Sequence, residues 1–529
     1  MNRPRRPSPA RTPTFYQEEW RRLRRPDADP AALGRLASRI ALAFLDNHYY
    51  MDWFDDGALD VLCDMGTFFD DDPRRRAAAG ALFGTIIERL CDDFEHLQAE
   101  AYNRVISRIL TFCRNVPGGE PLDQALDGFG LHDGDDLYRR AEHIRRDAQR
   151  PFRETGPVEK VFVLSRVTIG ADVAITSVLV QRLADRFPGA RIVLVGGANL
   201  EELFGSRPGL RLRVVDYPRR GALPNRFAGW QAVLEALREE LADTPTERTV
   251  LVDPDSRLTQ LGVLPVAPAE TCFFLNSRID EDDAAALAMS ELANRWADTT
   301  FGPTGYRHPA LWLPEGLTGA AGAFAARLRR AGCRHLVGVA LGVGENERKR
   351  IGGDFEERLL GALLEEPRTV VLLDKGAGAE EARRIGALVE AVRRRGHTVC
   401  DAAFDSLGGV HPAEGLVAVE TGIGQIAALI GRCDEFIGYD SACQHIAAAL
   451  GVTCYTVFAG TNSSRFVRRW RARGPGSAHI IHVDTLSHPQ AVDTEEVVAR
   501  ILDRRSQWHP PEDPAARRAA GDAPGSEGP

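Results

Sequence analysis

Short apolar runs alternate with amphipathic stretches along most of this chain. From residue 160 onwards, runs rich in β-branched and aromatic residues predict buried strands, and the stretches between them predict helices. The first strands are "KVFVLS", "RIVLVG", "RLRVVDY", "TVLVD" and "TCFFL", with helices at 172–187 and 228–242. This alternation indicates a Rossmann-like parallel sheet.

A second set of the same kind begins near residue 335. Its predicted strands are "HLVGVAL", "TVVLLD", "LVAVE", "EFIGY" and "VTCYTVF", and its predicted helices are 354–365, 379–395, 423–431 and 443–450. The Gly-, Pro- and Ala-rich segment 300–333 between the two sets is the predicted hinge. Two such halves predict a ligand site in a cleft between them.

The region before these halves has a helical pattern. Apolar residues recur at helical spacing between residues 83 and 113, which predicts an all-α region with a buried stripe. The two ends of the chain are rich in Pro with Arg or Gly, a composition typical of unstructured segments. The predicted organisation is a disordered basic arm at 1–30, a helical domain at 31–155, Rossmann-like domains at 156–325 and 330–505, and a disordered tail at 506–529.

Composition and charge narrow the function classes. The 529 residues are 44% hydrophobic and carry a net charge of -9, so the chain has no overall basic field and nucleic acid is a poor candidate partner. Nine cysteines without a Cys-x-x-Cys pair favour reduced thiols. The sequence lacks a secretory signal and a long uninterrupted apolar window, which predicts a cytoplasmic protein. For the basic arm, peripheral contact with anionic lipid is the alternative to a free tail.

Polar residues gather at a predicted strand end within "EFIGYDSACQHIAAALG". Asp440, Ser441 and His445 lie where a strand ends and a helix begins. Open α/β sheets bind ligands at such places, and the helix N-terminus presents unpaired N–H groups to an anion such as phosphate. The alternative for His445 is packing within the helix.

Two further strand ends in the second half carry glycines and basic side chains. Glycines let backbone N–H groups approach a phosphate, and Lys or Arg neutralises a diphosphate, although no Walker A motif is present. Solvated surface charges and, for the lysine after "LLD", a salt bridge are the alternatives. The candidate residues are Gly342, Gly344, Asn346, Lys349, Arg350 and Lys375.

The first half lacks the Gly-x-Gly-x-x-Gly turn of dinucleotide-binding enzymes, which disfavours a nicotinamide or flavin enzyme. A turn at Gly170 instead precedes Asp172 at the start of a predicted helix. A carboxylate at this place is either a helix cap or a general base.

Two of these segments resemble a known family. "DSACQHIAAALGVTCYTVFAGTN" resembles the Asp-Thr-Gly-x-x-His-x-x-Ala-Ala-Leu-Gly segment of the ADP-heptose:lipopolysaccharide heptosyltransferases, glycosyltransferase family 9. "LSRVTIGADVAITSVLVQRLADRFPGARI" resembles that family's opening strand, Gly-Asp turn and helix. The likeness covers about 158–505. Ala442 stands where the family motif has Gly, so the donor sugar stays open.

The resemblance implies an α/β GT-B fold, in which two Rossmann-like domains face a cleft, here preceded by an all-α extension. It implies transfer of a sugar from a nucleoside-diphosphate donor to a hydroxyl acceptor, such as a cell-envelope glycan or a lipid-linked acceptor, with inversion and without metal or cofactor. Asp172 falls on the family's base, Lys349 on its phosphate-binding lysine, and Asp440 to His445 on its nucleotide-sugar segment.

The acceptor is expected on the first half. There "VDPDSRLTQLG" and "FLNSR" place polar side chains after strands, and acceptor recognition is preferred over a metal site at the Asp253 to Asp255 triplet. Two other functions stay open: a sugar-nucleotide epimerase of the same fold, and a non-catalytic nucleotide-sensing scaffold whose helical domain binds a protein partner. The acceptor candidates are Arg166, Asp255, Arg257, Gln260 and Arg278.

Overall fold

The computed structural model describes residues 13–508, except residues 71, 93, 155, 219–222, 280–285, 345, 377 and 488–491. Contacts divide the chain into two compact units. The first consists of Met1–Glu315 with Ser463–Gly474, and the second of Gly316–Asn462 with Pro475–Pro529. Within the described ranges, no helix is both long and apolar enough to cross a membrane.

The N-terminal region is helical, as the apolar spacing predicted. Aspartates start several helices; the Asp29 side chain, for example, accepts hydrogen bonds from the Ala31 and Ala32 N–H groups. A π-helical stretch, Gly80–Ile87, lies between the fourth and fifth helices. The helices are α1 Pro13–Leu23, α2 Pro30–Met51, α3 Asp56–Phe68, α4 Asp72–Ala79, α5 Glu88–Asp92, α6 His96–Arg114, α7 Glu120–Asp127 and α8 Gly134–Arg146.

The predicted disordered arm is wrong for its second half, while residues 1–12 lie outside the described residues. Residues 13–23 form α1. Tyr16 and Trp20, four residues apart on one helix face, are buried, and the Trp20 Nε1 donates to Asp64 Oδ2 at 2.6 Å. Two large aromatic side chains anchor this helix despite the surrounding arginines.

A five-stranded parallel sheet follows the helices. Its order is β3-β2-β1-β4-β5, so the direction of winding reverses between β1 and β4 and the carboxyl ends open a crevice there. Its strands are β1 Lys160–Leu164, β2 Arg191–Gly196, β3 Leu210–Val214, β4 Thr249–Asp253 and β5 Cys272–Phe274. Its helices are α9 Ile169–Ala171, α10 Ser177–Arg186, α11 Glu201–Phe204, α12 Ala228–Leu241 and α13 Met289–Phe301, with a π-helical stretch Asp172–Thr176 joining α9 to α10.

The helical region and this sheet share one hydrophobic core. The core runs from Tyr16 through the apolar stripe of α6 to strands β1, β2 and β4. The two predicted segments therefore fold around common apolar contacts. The domain boundaries at 155, 325 and 505 stay predictions.

The second unit contains a seven-stranded parallel sheet. Its order is β12-β11-β10-β6-β7-β9-β8, so the winding reverses between β6 and β10. Its strands are β6 His335–Ala340, β7 Thr369–Asp374, β8 Val399–Ala403, β9 Gly415–Glu420, β10 Glu435–Tyr439, β11 Thr453–Phe458 and β12 Ala478–His482. The remaining helices of the chain are α14 Glu315–Ala331, α15 Phe355–Leu364, α16 Ala379–Arg394, α17 Ile423–Ile430, α18 Ala442–Ala449, α19 Ser464–Trp470 and α20 Thr494–Trp508, of which α19 lies in the first unit. Short 3₁₀ turns are Ala198–Leu200, Pro224–Phe227, Thr246–Arg248, Arg257–Thr259, Glu347–Lys349 and Phe404–Gly409.

The predicted fold class, α/β with two Rossmann-like parallel sheets after an all-α extension, is confirmed. Three details differ. The Ala-rich half of the predicted hinge is the 17-residue helix α14, since Ala is the strongest helix former. Helix α20 continues to residue 508, past the predicted start of the tail, and residues 509–529 lie outside the described residues. Strands β8 and β12 were not predicted.

Candidate functional site

Asp172 lies inside the helical segment that follows β1, in its π-helical stretch. The residue that precedes the helix is Thr168, so the helix-cap interpretation of Asp172 is wrong. Its oxygens accept from the Arg166 N–H at 2.7 Å, the Ser165 hydroxyl at 2.8 Å and the Thr176 hydroxyl at 2.7 Å. The carboxylate thereby ties the turn after β1 to the helix.

The environment of Asp172 changes its protonation. The residue is 1% exposed. Burial raises its pKa to about 6, against the hydrogen bonds from Thr176, Arg166 and Ser165, which lower it. A carboxyl group with this pKa is suited to accept a proton near neutral pH.

The turn that Asp172 holds is strained. Val167 has φ 74°, a left-handed conformation that β-branched residues rarely adopt. Its N–H donates to the Ser165 hydroxyl at 2.8 Å, which itself donates to Asp172. Strain of this kind persists only where surrounding contacts fix the backbone, and it clusters at functional sites.

A buried charge cluster joins the ends of β1, β4 and β5. The Arg166 guanidinium donates to the Pro254 carbonyl at 2.8 Å and lies 3.3 Å from Asp255. Asp255, fully buried with φ 62°, also accepts from the Ser277 hydroxyl at 2.5 Å and lies 3.5 Å from Arg278. The structure thus brings Asp172, Arg166, Asp255 and Arg278 together in one network.

The other two acceptor candidates lie on the same loop. Gln260 is buried with φ 51°, and its side-chain amide donates to the Arg257 carbonyl at 3.1 Å, while the Arg257 side chain is exposed. Arg257 is therefore the exposed member of this pair.

The two carboxylates of the Asp253 to Asp255 triplet have different partners. Asp253 accepts from the Ser256 N–H at 2.7 Å and the Thr259 hydroxyl at 2.6 Å, whereas Asp255 contacts the arginines described above. Burial raises the pKa of Asp253 to about 6. Among the described residues, no group of three or more His, Cys, Asp and Glu side chains is placed to hold a metal ion.

In the second unit, Lys349 and Asp440 meet at the place where the winding reverses. Lys349 follows β6 and Asp440 follows β10, and these two strands are neighbours. The Lys349 ammonium donates to Asp440 Oδ2 at 2.6 Å and to its backbone carbonyl at 3.2 Å, and the Gln444 amide donates to the other oxygen at 2.5 Å. The lysine keeps 24% of its side chain exposed.

Helix α18 begins beside this pair. Ser441 precedes its first turn in an extended conformation, and within the described residues its buried hydroxyl has no hydrogen-bond partner. His445 is buried, and burial lowers its pKa to about 4, so the ring is neutral at physiological pH. Lys349, Asp440, Ser441 and His445 are thus brought together.

Arg350 lies next to Lys349 but is held by protein groups. It donates to the Leu341 carbonyl at 2.7 Å and forms ion pairs with Glu347 at 2.6 Å, Glu356 at 3.3 Å and Glu381 at 3.4 Å. These contacts fix the loop after β6 and leave little of the guanidinium charge for a diphosphate.

The glycines and the asparagine of this loop shape its backbone. Gly344 is exposed with φ 65°, and a side chain at Gly342 would meet the Glu381 carboxylate at 2.8 Å. The Asn346 side chain accepts from the Arg348 N–H at 3.2 Å. These positions are consistent with a tight turn that brings backbone close to a ligand.

Lys375 contacts a different aspartate from the one that Lys349 contacts. It follows β7, and its ammonium donates to Asp401 at 3.0 Å. The salt bridge that the sequence left as the alternative is therefore formed.

Several members of these networks were not predicted. Ser165 and Thr176 donate to Asp172 and were detectable, because Ser165 directly follows β1 and Thr176 lies four residues after Asp172 in the helical segment. Gln444 is likewise four residues after Asp440. Tyr102, whose ring lies 4.9 Å from the Arg278 guanidinium carbon, had no local signal.

One family model matches a segment in the C-terminal part of the chain. Residues 406–491 match the model of Glycosyltransferase family 9 (heptosyltransferase). The matched segment contains Asp440, Ser441 and His445. The resemblance predicted from the sequence is confirmed, as is the enzyme class, glycosyltransferase. No curated protein sequence matches the chain.

Solved structures with related folds are distant. A glycosyl transferase of family 9 from Veillonella parvula DSM 2008 is 16% identical with a TM-score of 0.47, over 66% of this chain and 100% of that chain. ADP-heptose lps heptosyltransferase II of E. coli is 14% identical with a TM-score of 0.42, over 65% and 99%. E. coli heptosyltransferase WaaC with ADP gives the same identity, coverage and TM-score.

Proposed function

We propose that this heptosyltransferase-like glycosyltransferase transfers a sugar from a nucleoside-diphosphate donor to a hydroxyl acceptor, with inversion and without a metal ion. The donor binds the second unit and the acceptor the first. The observation that carries the proposal is the Lys349 to Asp440 pair at the winding reversal of the second sheet, of which Asp440 lies in the segment that matches the family.

The donor's diphosphate is proposed to bind beside Lys349. The lysine is held by Asp440 yet partly exposed, and the α18 N-terminus with the Ser441 hydroxyl adds hydrogen-bond donors. Together these groups stabilise the charge that develops on the departing nucleoside diphosphate, the task that a metal ion performs elsewhere. The neutral His445 ring supplies a further polar contact.

Asp172 is proposed to be the general base. It takes the proton of the acceptor hydroxyl as that oxygen bonds to the anomeric carbon, while the bond from this carbon to the diphosphate breaks and its electron pair leaves with the phosphate. Because Asp172 already accepts three hydrogen bonds, one side-chain hydroxyl, from Ser165 or Thr176, gives way to the acceptor. The raised pKa of Asp172 favours this proton transfer.

The acceptor is proposed to be a cell-envelope glycan or lipid-linked sugar reached from the cytoplasm. Arg257, exposed on the loop after β4, and Gln260 contact it, while Arg166, Asp255 and Arg278 shape the floor of the site.

The test is a thermal-shift screen with ADP, UDP and GDP, followed by measurement of nucleoside diphosphate released from the matching nucleotide sugars. A ligand present at about 100 times its Kd stabilises the folded state by about 2.7 kcal/mol, which a melting curve detects. We expect one nucleotide to raise the Tm strongly and its sugar conjugate to be consumed. If none of the three binds and no nucleotide sugar is consumed, the proposal is wrong.

A further inference from the structure

The loop after β4 and the residue Arg278 carry most of the proposed acceptor site, and both are packed against the helical region. Arg278 is 3% exposed, and its guanidinium carbon lies 4.9 Å from the centre of the Tyr102 ring on α6. Tyr102 is itself 2% exposed. An arginine on an aromatic face, shielded from water, is a stabilising pair.

The polar contacts of Arg278 are otherwise long. It donates to the Leu261 carbonyl at 3.3 Å and to Asp255 at 3.5 Å. Within the described residues, its Nε and one terminal nitrogen have no hydrogen-bond partner. The Tyr102 ring is thus a principal contact that keeps this guanidinium in place.

The loop that Arg278 contacts has an unfavourable backbone. Asp255, Gln260 and Leu261 have φ values of 62°, 51° and 53°. Such conformations are unfavourable for residues other than glycine and need surrounding contacts to hold them. A second contact comes from the helical region, because Arg140 on α8 donates to the Gly262 and Val263 carbonyls at 2.6 and 3.1 Å.

The same contacts lead on to the proposed base. The Asp255 carboxylate forms ion pairs with both Arg278 and Arg166. The backbone N–H of Arg166 in turn donates to Asp172. The Ser256 hydroxyl donates to the Ser165 carbonyl at 2.5 Å, which joins the loop to the strained turn at Val167. A shift of Arg278 is therefore transmitted to the groups that orient the Asp172 carboxylate.

We propose that Tyr102 is a positioning residue of the acceptor site, through which the helical region holds Arg278, the loop 255–262 and the turn that orients Asp172. The helical region is then an integral part of the catalytic unit. The catalytic part of this inference rests on the proposed function.

The test compares three variants of the full-length protein. Tyr102→Leu removes the ring, and Tyr102→Phe keeps it. Phe44→Leu is the matched control, because Phe44 is fully buried in the same core on α2, where it packs edge-on against Phe54. Both leucine variants lose a buried ring and some stability.

Hydrogen exchange measures the positioning itself. We expect amides at 166–167 and 258–264 to exchange about three to thirty times faster in Tyr102→Leu than in the parent, the range set by loss of a shielded cation–π pair. Tyr102→Phe is expected to match the parent, and Phe44→Leu to leave these amides no faster than the rest of the unit. Equal exchange in both leucine variants would overturn the proposal, whether or not the protein proves to be a transferase.

Turnover measures the consequence. With the nucleotide sugar from the ADP, UDP and GDP series and water as the acceptor, Tyr102→Leu is expected to lower kcat about tenfold with an unchanged Kd for the nucleoside diphosphate. Tyr102→Phe is expected to restore kcat. A Tyr102→Leu enzyme with the parent's kcat would overturn the inference while leaving the proposed function intact, whereas a parent that consumes no nucleotide sugar contradicts the proposed function.

Discussion

At the scale of single residues, burial sets the protonation of Asp172. Three hydrogen-bond donors stabilise its ionised form, yet removal from water outweighs them and the pKa rises to about 6. A group that must be ionised to act as a base then limits activity below this pH. The same burial that positions the carboxylate therefore also tunes it.

The first prediction concerns Asp172→Asn. We expect kcat to fall by about a hundred- to ten-thousandfold, the usual size of a general-base contribution, with nearly unchanged nucleotide affinity. The parent's kcat is expected to rise with pH through about 6, and the variant to lose this limb. Initial rates of nucleoside diphosphate release from pH 4.5 to 8 measure both, and an Asn variant within tenfold of the parent removes Asp172 from the mechanism.

The sign of the stability change follows from the same pKa. Since the folded-state pKa lies above the ordinary value of 3.8, ionisation opposes folding, and the parent loses stability as pH rises from about 4 to 6. Asp172→Asn has no such ionisation. The difference in Tm between variant and parent is therefore expected to move in favour of the variant between pH 4 and 7, and a constant difference would contradict the raised pKa.

The second prediction uses two of the chain's three lysines. Lys349→Met removes the ammonium beside Asp440 and the α18 N-terminus, and we expect nucleoside diphosphate affinity to fall about ten- to a hundredfold, because a charge-assisted contact to phosphate is lost. Lys375→Met is the control. Its ammonium contacts Asp401 and not Asp440 at the start of α18, so calorimetry is expected to give a Kd close to the parent's. An equal loss in both variants would place the diphosphate elsewhere.

At the scale of elements, the strands that the sequence predicted are the buried ones. Every strand with a continuous apolar run, such as "TVVLLD" and "EFIGY", was predicted within about one residue. The two that were missed, β8 and β12, are the edges of the second sheet, and their side chains are mostly half-buried. Edge strands need no long apolar run, so periodicity alone does not detect them.

For the site residues, too, only part of the arrangement was predictable. Their position at strand ends was predictable because parallel strands end at one edge of a sheet. The partner of each charge was not. Arg350 and Lys349 are neighbours in sequence, but three glutamates, two of them from other helices, surround Arg350, whereas Lys349 remains partly exposed beside Asp440.

The third prediction concerns how the last helix is held to its sheet. Arg505 on α20 donates to Glu435 at the start of β10, and His335 contacts the same carboxylate at 2.8 Å. Although burial opposes it, these contacts lower the pKa of Glu435 to about 2. Arg505→Gln leaves this fully buried carboxylate short of a cation, and we expect a loss of about 3 kcal/mol in the free energy of unfolding at pH 7.

Denaturant titration at several pH values measures this loss. The stabilisation by the pair is fully present above the ordinary Glu pKa of 4.5 and is lost as pH falls to about 2, so the difference between variant and parent should shrink steadily below pH 4.5 and be smallest near pH 2. Arg358→Gln is the control, because Arg358 and its partner Asp354 are both exposed and surface pairs contribute little. Equal losses in the two variants would show that the Glu435 pair has no special role.

At the scale of the whole molecule, each compact unit is built from two segments that are separated in the sequence. Residues 463–474 lie between β11 and β12 in sequence, both in the second unit, yet they belong to the first. The rings of Phe466 and Trp470 lie 6.3 and 6.4 Å from that of Phe94, and Arg465 donates to the Phe94 carbonyl at 2.9 Å. Nothing in the local pattern predicts such a return, because the contacts join positions more than 350 residues apart.

The fourth prediction tests this return through two adjacent arginines. Arg469 is fully buried and donates to the Ile279 carbonyl at 2.9 Å, whereas Arg468 is exposed. In Arg469→Leu the half-buried Ile279 carbonyl loses its donor, so we expect amides around residues 275–279 to exchange about tenfold faster, with the strands of the second sheet unchanged. Arg468→Leu is expected to match the parent throughout. If Arg469→Leu instead accelerated exchange in β10 and β11, the segment would stabilise the unit that its sequence position suggests, and the assignment to the first unit would be wrong.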